Sequence, residues 1–311
     1  MKRKMLNVPK GGYDGMKGFT IVEFLVAGLL SIIVLIAVVS SYFTSRKLND
    51  AANERLAIQQ DLRNAATLIV RDARMAGSFG CFNMSEHTEK DVVFDVPQKN
   101  RPFSLKGSSA NKLIPIAESL NIGYQGFAQV RPALIFQYGI DDVNASAETT
   151  VVSSCGVISK PGKQIPTLED AKKELKIQNS GKEQNGNIAR QRHVVNAYAV
   201  GRIAGEEGLF RFQLDDKGKW GNPQLLVKKV KRMDVRYIYV SGCPEDAGKE
   251  EQFKYTDKFD KSRDAVTPAG VEVLLDSGLD AKIAASSDNS IYAYRINATI
   301  RGGNVCANRT L

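Results

Sequence analysis

The side chain most able to do chemistry in this sequence is Glu23. It is the only ionised group between Lys17 and Arg46, inside a run that is otherwise apolar from Phe24 to Val39. A carboxylate in such a run costs roughly 2.5–3.5 kcal/mol on insertion scales, so its presence calls for a partner. Three partners are compatible with it: lipid headgroups reached by snorkelling, a group of its own chain, or an amine of a neighbouring molecule. The other chemically distinctive groups are four cysteines, Cys81, Cys155, Cys243 and Cys306. None forms a C-x-x-C, and His87 and His193 stand alone, which disfavours a zinc or dithiol redox site. Four cysteines allow three pairings. In an exported chain they form disulfides, and proximity in sequence favours Cys81–Cys155 with Cys243–Cys306. Nucleotide-binding, serine-hydrolase and metalloprotease signatures are missing, so neither a catalytic residue nor a cofactor or metal is expected.

The element that must carry Glu23 begins next to it. Phe19 to Phe43 contains 25 residues without proline. As a helix it would measure roughly 37 Å, enough for a hydrocarbon core of about 30 Å. The amphipathic stripe Leu48, Ala52, Leu56, Leu62, Ala66, Ile69 and Ala73 continues the helix to Ala76, and Gly77 is placed to end it. Thr20 is placed to cap the helix start. Gly28 is either a close-packing point between helices or neutral. Basic residues precede the apolar run: Lys2, Arg3, Lys4, Lys10 and Lys17 against Asp14 put +4 of the net +9 in the first 18 residues. That asymmetry predicts a cytoplasmic N-terminus. The remaining +5 is only mildly basic and makes electrostatic DNA binding the weaker reading.

Residues 16–81 carry a resemblance. Lys17-Gly18-Phe19-Thr20 with Glu23, in register before the apolar run, resembles the processing site of type IV prepilins. Asp61-Leu-Arg-Asn-Ala65, Arg71-Asp-Ala-Arg-Met-Ala-Gly77 and Gly80-Cys81 resemble the PilW family of minor pilins. The resemblance implies a leader peptide over 1–18, cut after Gly18 by prepilin peptidase, with methylation of Phe19. It implies that Glu23 pairs with the Phe19 amine of a neighbouring subunit during assembly. It implies an inner-membrane protein with one pass, whose partners are the major pilin, other minor pilins and the inner-membrane assembly platform of the type IV pilus. Translation starting at Met1 or at Met16 is compatible with that cut.

The resemblance also implies an α+β pilin-like fold, a long N-terminal helix packed on an antiparallel sheet. The expected organisation is a transmembrane half-helix over 19–45, an amphipathic half over 46–77 and a periplasmic head over 78–311. Two alternatives remain. A J-type pseudopilin of type II secretion shares Gly18 and Glu23, and Leu225–Tyr239 resembles that group too. A soluble periplasmic enzyme or binding protein would instead lose a signal peptide ending near Ser40-Ser41.

Within the head, alternation predicts strands at Ala133–Tyr138, Thr149–Ser154, His193–Val200, Leu209–Leu214, Met233–Tyr239 and Ile291–Ile296. Asp215–Gly218 is a hairpin turn leading to a strand at Gln224–Val227. Thr167 with Asp170 predicts a capped helix running to Lys176. Gln178–Asn187 and the charged stretch Pro244–Pro268 are expected to be loops. Lys228, Lys229, Lys231 and Arg232 form a basic cluster, read as a solvated sheet edge or, less favourably, as a contact for DNA or another anionic partner.

Overall fold

The computed structural model describes residues 18–93, 112–142, 144–176, 187–221, 223–241, 252–260, 266–276, 294–301 and 303. Cys243, Cys306, residues 291–293 of the expected last strand and most of the expected 178–187 loop lie outside this set. The chain divides into two compact units, Met1–Ala57 and Ile58–Leu311.

Helix α1 runs from Ile21 to Met75, 55 residues without interruption. In the first unit nearly every side chain of α1 is exposed, Phe24, Leu30, Val34 and Ile36 among them. This helix is long and apolar enough to cross a membrane. In the second unit its buried positions are Ile58, Leu62, Ala65, Ile69, Asp72 and Ala73. The repeat 58-62-65-69-72, advancing by four and three, keeps one face inward. The sequence stripe is therefore corrected in part. Leu48, Ala52 and Leu56 are exposed, and the buried line passes through Ile58 and Ala65.

Gly77 ends the helix with φ +79°, a backbone state that costs glycine little. A Cβ there would also lie 3.0 Å from Pro115 Cβ. Strands β1 (Ser78–Phe79) and β2 (Phe82–Asn83) follow as a small hairpin, then two 3₁₀ turns, Met84–Glu86 and Glu89–Asp91. The next strands are β3 (Val92–Val93), β4 (Ile116–Ser119), β5 (Ala128–Gln129), β6 (Ala133–Asp141), β7 (Thr150–Ser153) and β8 (Ile158–Ser159). Helix α2 (Leu168–Glu174) precedes β9 (Ala189–Ile203), β10 (Glu206–Gln213) and β11 (Gln224–Lys228). Strands β12 (Arg232–Ser241), β13 (Gln252–Thr256), β14 (Gly270–Asp276) and β15 (Tyr294–Thr299) complete the described elements.

Among the described residues β3 to β11 make one nine-stranded sheet and β12 to β15 a four-stranded one in the order β13-β12-β14-β15. The architecture is α+β. Pairing is antiparallel throughout except for β3 with β8, which makes the larger sheet mixed. Strand β9 is its hub. It pairs with β6 from Gln191 to Tyr198 and with β10 from Asn196 to Ile203. Both faces of β9 are buried, so it reads as a continuous apolar run. Tyr198 and Val200 join a core with the α1 stripe and with Met233, Tyr237, Val273 and Ile296 of the smaller sheet. Val195, Ala197 and Ala199 point the other way, onto Phe210 and Phe212.

Strand β13 corrects one expectation. It lies inside the stretch read as a loop, because Phe253 and Tyr255 alternate with polar residues and pair with β12. Helix α2 has the expected cap. Thr167 Oγ1 accepts the Asp170 N–H at 3.1 Å and donates to the Asp170 carboxylate at 2.6 Å.

Candidate functional site

Gly18 and Phe19 precede the helix in exposed backbone, and Phe19 is 87% exposed. Helix α1 starts with a reciprocal cap. Thr20 Oγ1 accepts the Glu23 N–H at 3.3 Å. Glu23 Oε2 accepts the Thr20 N–H and the Thr20 hydroxyl, each at 3.0 Å. The T-x-x-E spacing produces this geometry, since residue N3 of a helix faces back towards its N-cap. Glu23 thus has a partner in its own chain through one carboxylate oxygen.

A second carboxylate occupies the other half of α1: Asp72, which stands in the Arg71–Gly77 motif but has no role assigned from sequence. Asp72 is fully buried, and side chains from three strands converge on it. Tyr138 of β6 donates to its Oδ1 at 3.0 Å. Asn196 and Tyr198 of β9 donate to its Oδ2 at 2.7 and 2.6 Å. Arg71 adds two bonds to Oδ1 at 3.2 and 3.0 Å, and Arg211 of β10 lies 3.7 Å from Oδ2. The convergence follows from strand periodicity. Phe136 faces Asn196, Tyr138 faces Val194 and Arg211 faces Tyr198, so all three strands offer their helix-side residues at one level.

Burial, reinforced by the Asp72 charge, pushes the Tyr138 phenol up to about 12, and it pushes Tyr198 higher still. Both phenols therefore remain donors. A buried carboxylate held by several donors, with two guanidinium groups near it, is satisfied only at one rotation of the helix. The signal was available in sequence: Asp72 falls in phase with Ile58, Leu62, Ala65 and Ile69.

Cys81 and Cys155 form a disulfide across 74 residues. It joins the β1–β2 turn to the β7–β8 turn, beside the Ser153 hydroxyl, which donates to the Phe79 carbonyl at 2.7 Å. The basic cluster runs from the end of β11, the edge of its sheet, through the turn after it to Arg232, the first residue of β12. Lys228 lies 3.8 Å from Glu206, and Arg232 lies 2.5 Å from Asp234. Tyr237 faces the core, its hydroxyl donating to Glu118 at 2.7 Å. No group of metal-ligating side chains occurs among the described residues.

Comparison with protein-family models, with curated proteins and with solved structures returned no match.

Proposed function

We propose that this chain is the precursor of a minor pilin of the PilW family, a structural subunit that enters or primes the type IV pilus. One observation carries the proposal: Gly18, Phe19 and Glu23 stand in register at the start of a 55-residue helix that is exposed and apolar in its first unit and buried in its second. An exposed apolar helix needs lipid or other helices around it, and a filament core supplies the second when the first is left behind. In this reading prepilin peptidase cuts after Gly18 and Phe19 is methylated. The head lies in the periplasm, and the partners are the major pilin, other minor pilins and the inner-membrane assembly platform.

Glu23 has a role in this reading beyond its cap. Its Oε2 holds Thr20, and its Oε1 is offered to the free amine of Phe19 on a neighbour. Pairing two charges as both leave water favours assembly over an isolated carboxylate in lipid. Glu23→Ala is expected to leave cleavage intact and to remove the subunit from sheared pili. Normal recovery of the variant in pili would refute that role.

The N-terminal mass of the membrane-extracted protein tests the whole reading. A chain that begins with methylated Phe19 is expected. A soluble chain that begins near Tyr42 would overturn it. Deleting the chain then separates the pilus from type II secretion: loss of surface pili and twitching is expected, whereas loss of enzyme secretion alone would assign a pseudopilin.

A further inference from the structure

The stretch Arg71–Gly77 turns Asp72, Ala73 and Ala76 into the core, and its two arginines remain outside. Among the described residues Arg74 and Arg63 have no ion pair. Arg71 donates to Asp72 yet keeps a side chain that is 53% exposed. These three arginines rim a groove of about 590 Å³ between the outer side of α1 and Tyr294 of β15. Its floor is Ala66, Val70 and Met75, and among the described residues no acidic side chain lines it.

The geometry points to an acidic amphipathic helix of a partner protein as the occupant of this groove. Three physical arguments select it. First, the described lining of the groove carries three cations and no anion, so its complement is acidic. Second, Arg63 and Arg74 are eleven residues apart on one helix, about 16 Å, beyond the reach of a single phosphate or carboxylate. The ligand must be elongated, with acidic groups at both ends. Third, residues 63, 67, 70 and 74 advance by four, three and four and form a straight ridge. The short side chains of Ala66, Thr67 and Val70 let a second helix approach and pack ridge into groove. The partner helix then carries Asp or Glu about three turns apart, flanking a small apolar stripe. This inference rests on the head alone and is independent of the filament reading.

The test uses the full chain in phosphatidylcholine nanodiscs. The probe is a fluorescein-labelled helical peptide with leucine and alanine on one stripe and glutamates eleven residues apart beside it. Binding that weakens as salt rises is expected. The double variant Arg63→Glu/Arg74→Glu should lose about tenfold in affinity, because two attractions become repulsions. A peptide with lysine in place of glutamate should reverse the order and prefer the variant. Both positions are exposed, and unchanged thermal unfolding of the variant checks its fold. Equal affinity of the glutamate peptide for both proteins would overturn the inference. So would equal binding of a proline-interrupted peptide of the same composition, which would mean an extended ligand. Binding of phosphatidylglycerol vesicles without binding of the helical peptide would mean a lipid surface and would also overturn it.

Discussion

Helix α1 is one continuous element in two environments. Up to Ala57 it is rich in Leu, Ile and Val, yet almost nothing is buried. From Ile58 onward half of its residues are polar or charged, yet one face is sealed, with a carboxylate inside it. Composition therefore runs opposite to burial. An apolar side chain left in the open implies a solvent that is not water. A charge sealed in a protein core implies partners arranged in advance. The two carboxylates carry the same contrast. Glu23 caps the exposed end of the helix through Thr20, and Asp72 draws three strands onto the buried end.

The largest effect is expected at Asp72. Asp72→Ala leaves two phenols, an amide and two guanidinium groups without their shared acceptor and should cost about 3–5 kcal/mol in denaturant unfolding of the full chain in detergent. Aliphatic truncations should then separate the two halves. Ile69→Ala, in the sealed face, should cost about 2–5 kcal/mol. Leu56→Ala, two residues before the head unit begins, should stay within about 0.5 kcal/mol. Similar costs for the two would erase the distinction. Cys81→Ser opens a 74-residue loop and should cost roughly 2–4 kcal/mol.

A further effect appears at high pH. A phenol whose folded pKa lies above its unfolded value of 10 stays neutral in the head while the unfolded chain ionises. Stability from Tyr138 is thus complete below pH 10 and declines as pH rises towards 12. Tyr198 and Tyr237 shift in the same direction and extend the decline upward. Absorbance titration of phenolate should show these tyrosines ionising only as the head unfolds.

Much of the fold was legible in the sequence. Val194, Tyr198 and Val200 alternate with Val195, Ala197 and Ala199, and both sets are buried, as a central strand requires. The Asp215–Gly218 turn joins β10 to β11 as its residue types demand, and Thr167 caps α2. The helix was legible as well, but which part of its stripe is covered was not. Leu56 and Leu62 have the same chemistry, and periodicity names a face without naming what lies against it. The role of Asp72 within its motif was not legible, because a charged residue in an apolar phase is discounted unless its donors are known, and Tyr138 and Asn196 are 66 and 124 residues away. Strand β13 was hidden by the charged residues around Phe253 and Tyr255, since pairing with β12 is a long-range fact.

Helix α1 occupies two environments, and hydrogen exchange of the full chain in lipid nanodiscs tests this most directly. Protection over Phe24–Val39 should persist in the Asp72→Ala variant, because lipid and not the head shields those amides. Protection over Ile58–Met75 should collapse in the same variant. If both stretches lose protection together, or if neither does, α1 is not divided as described.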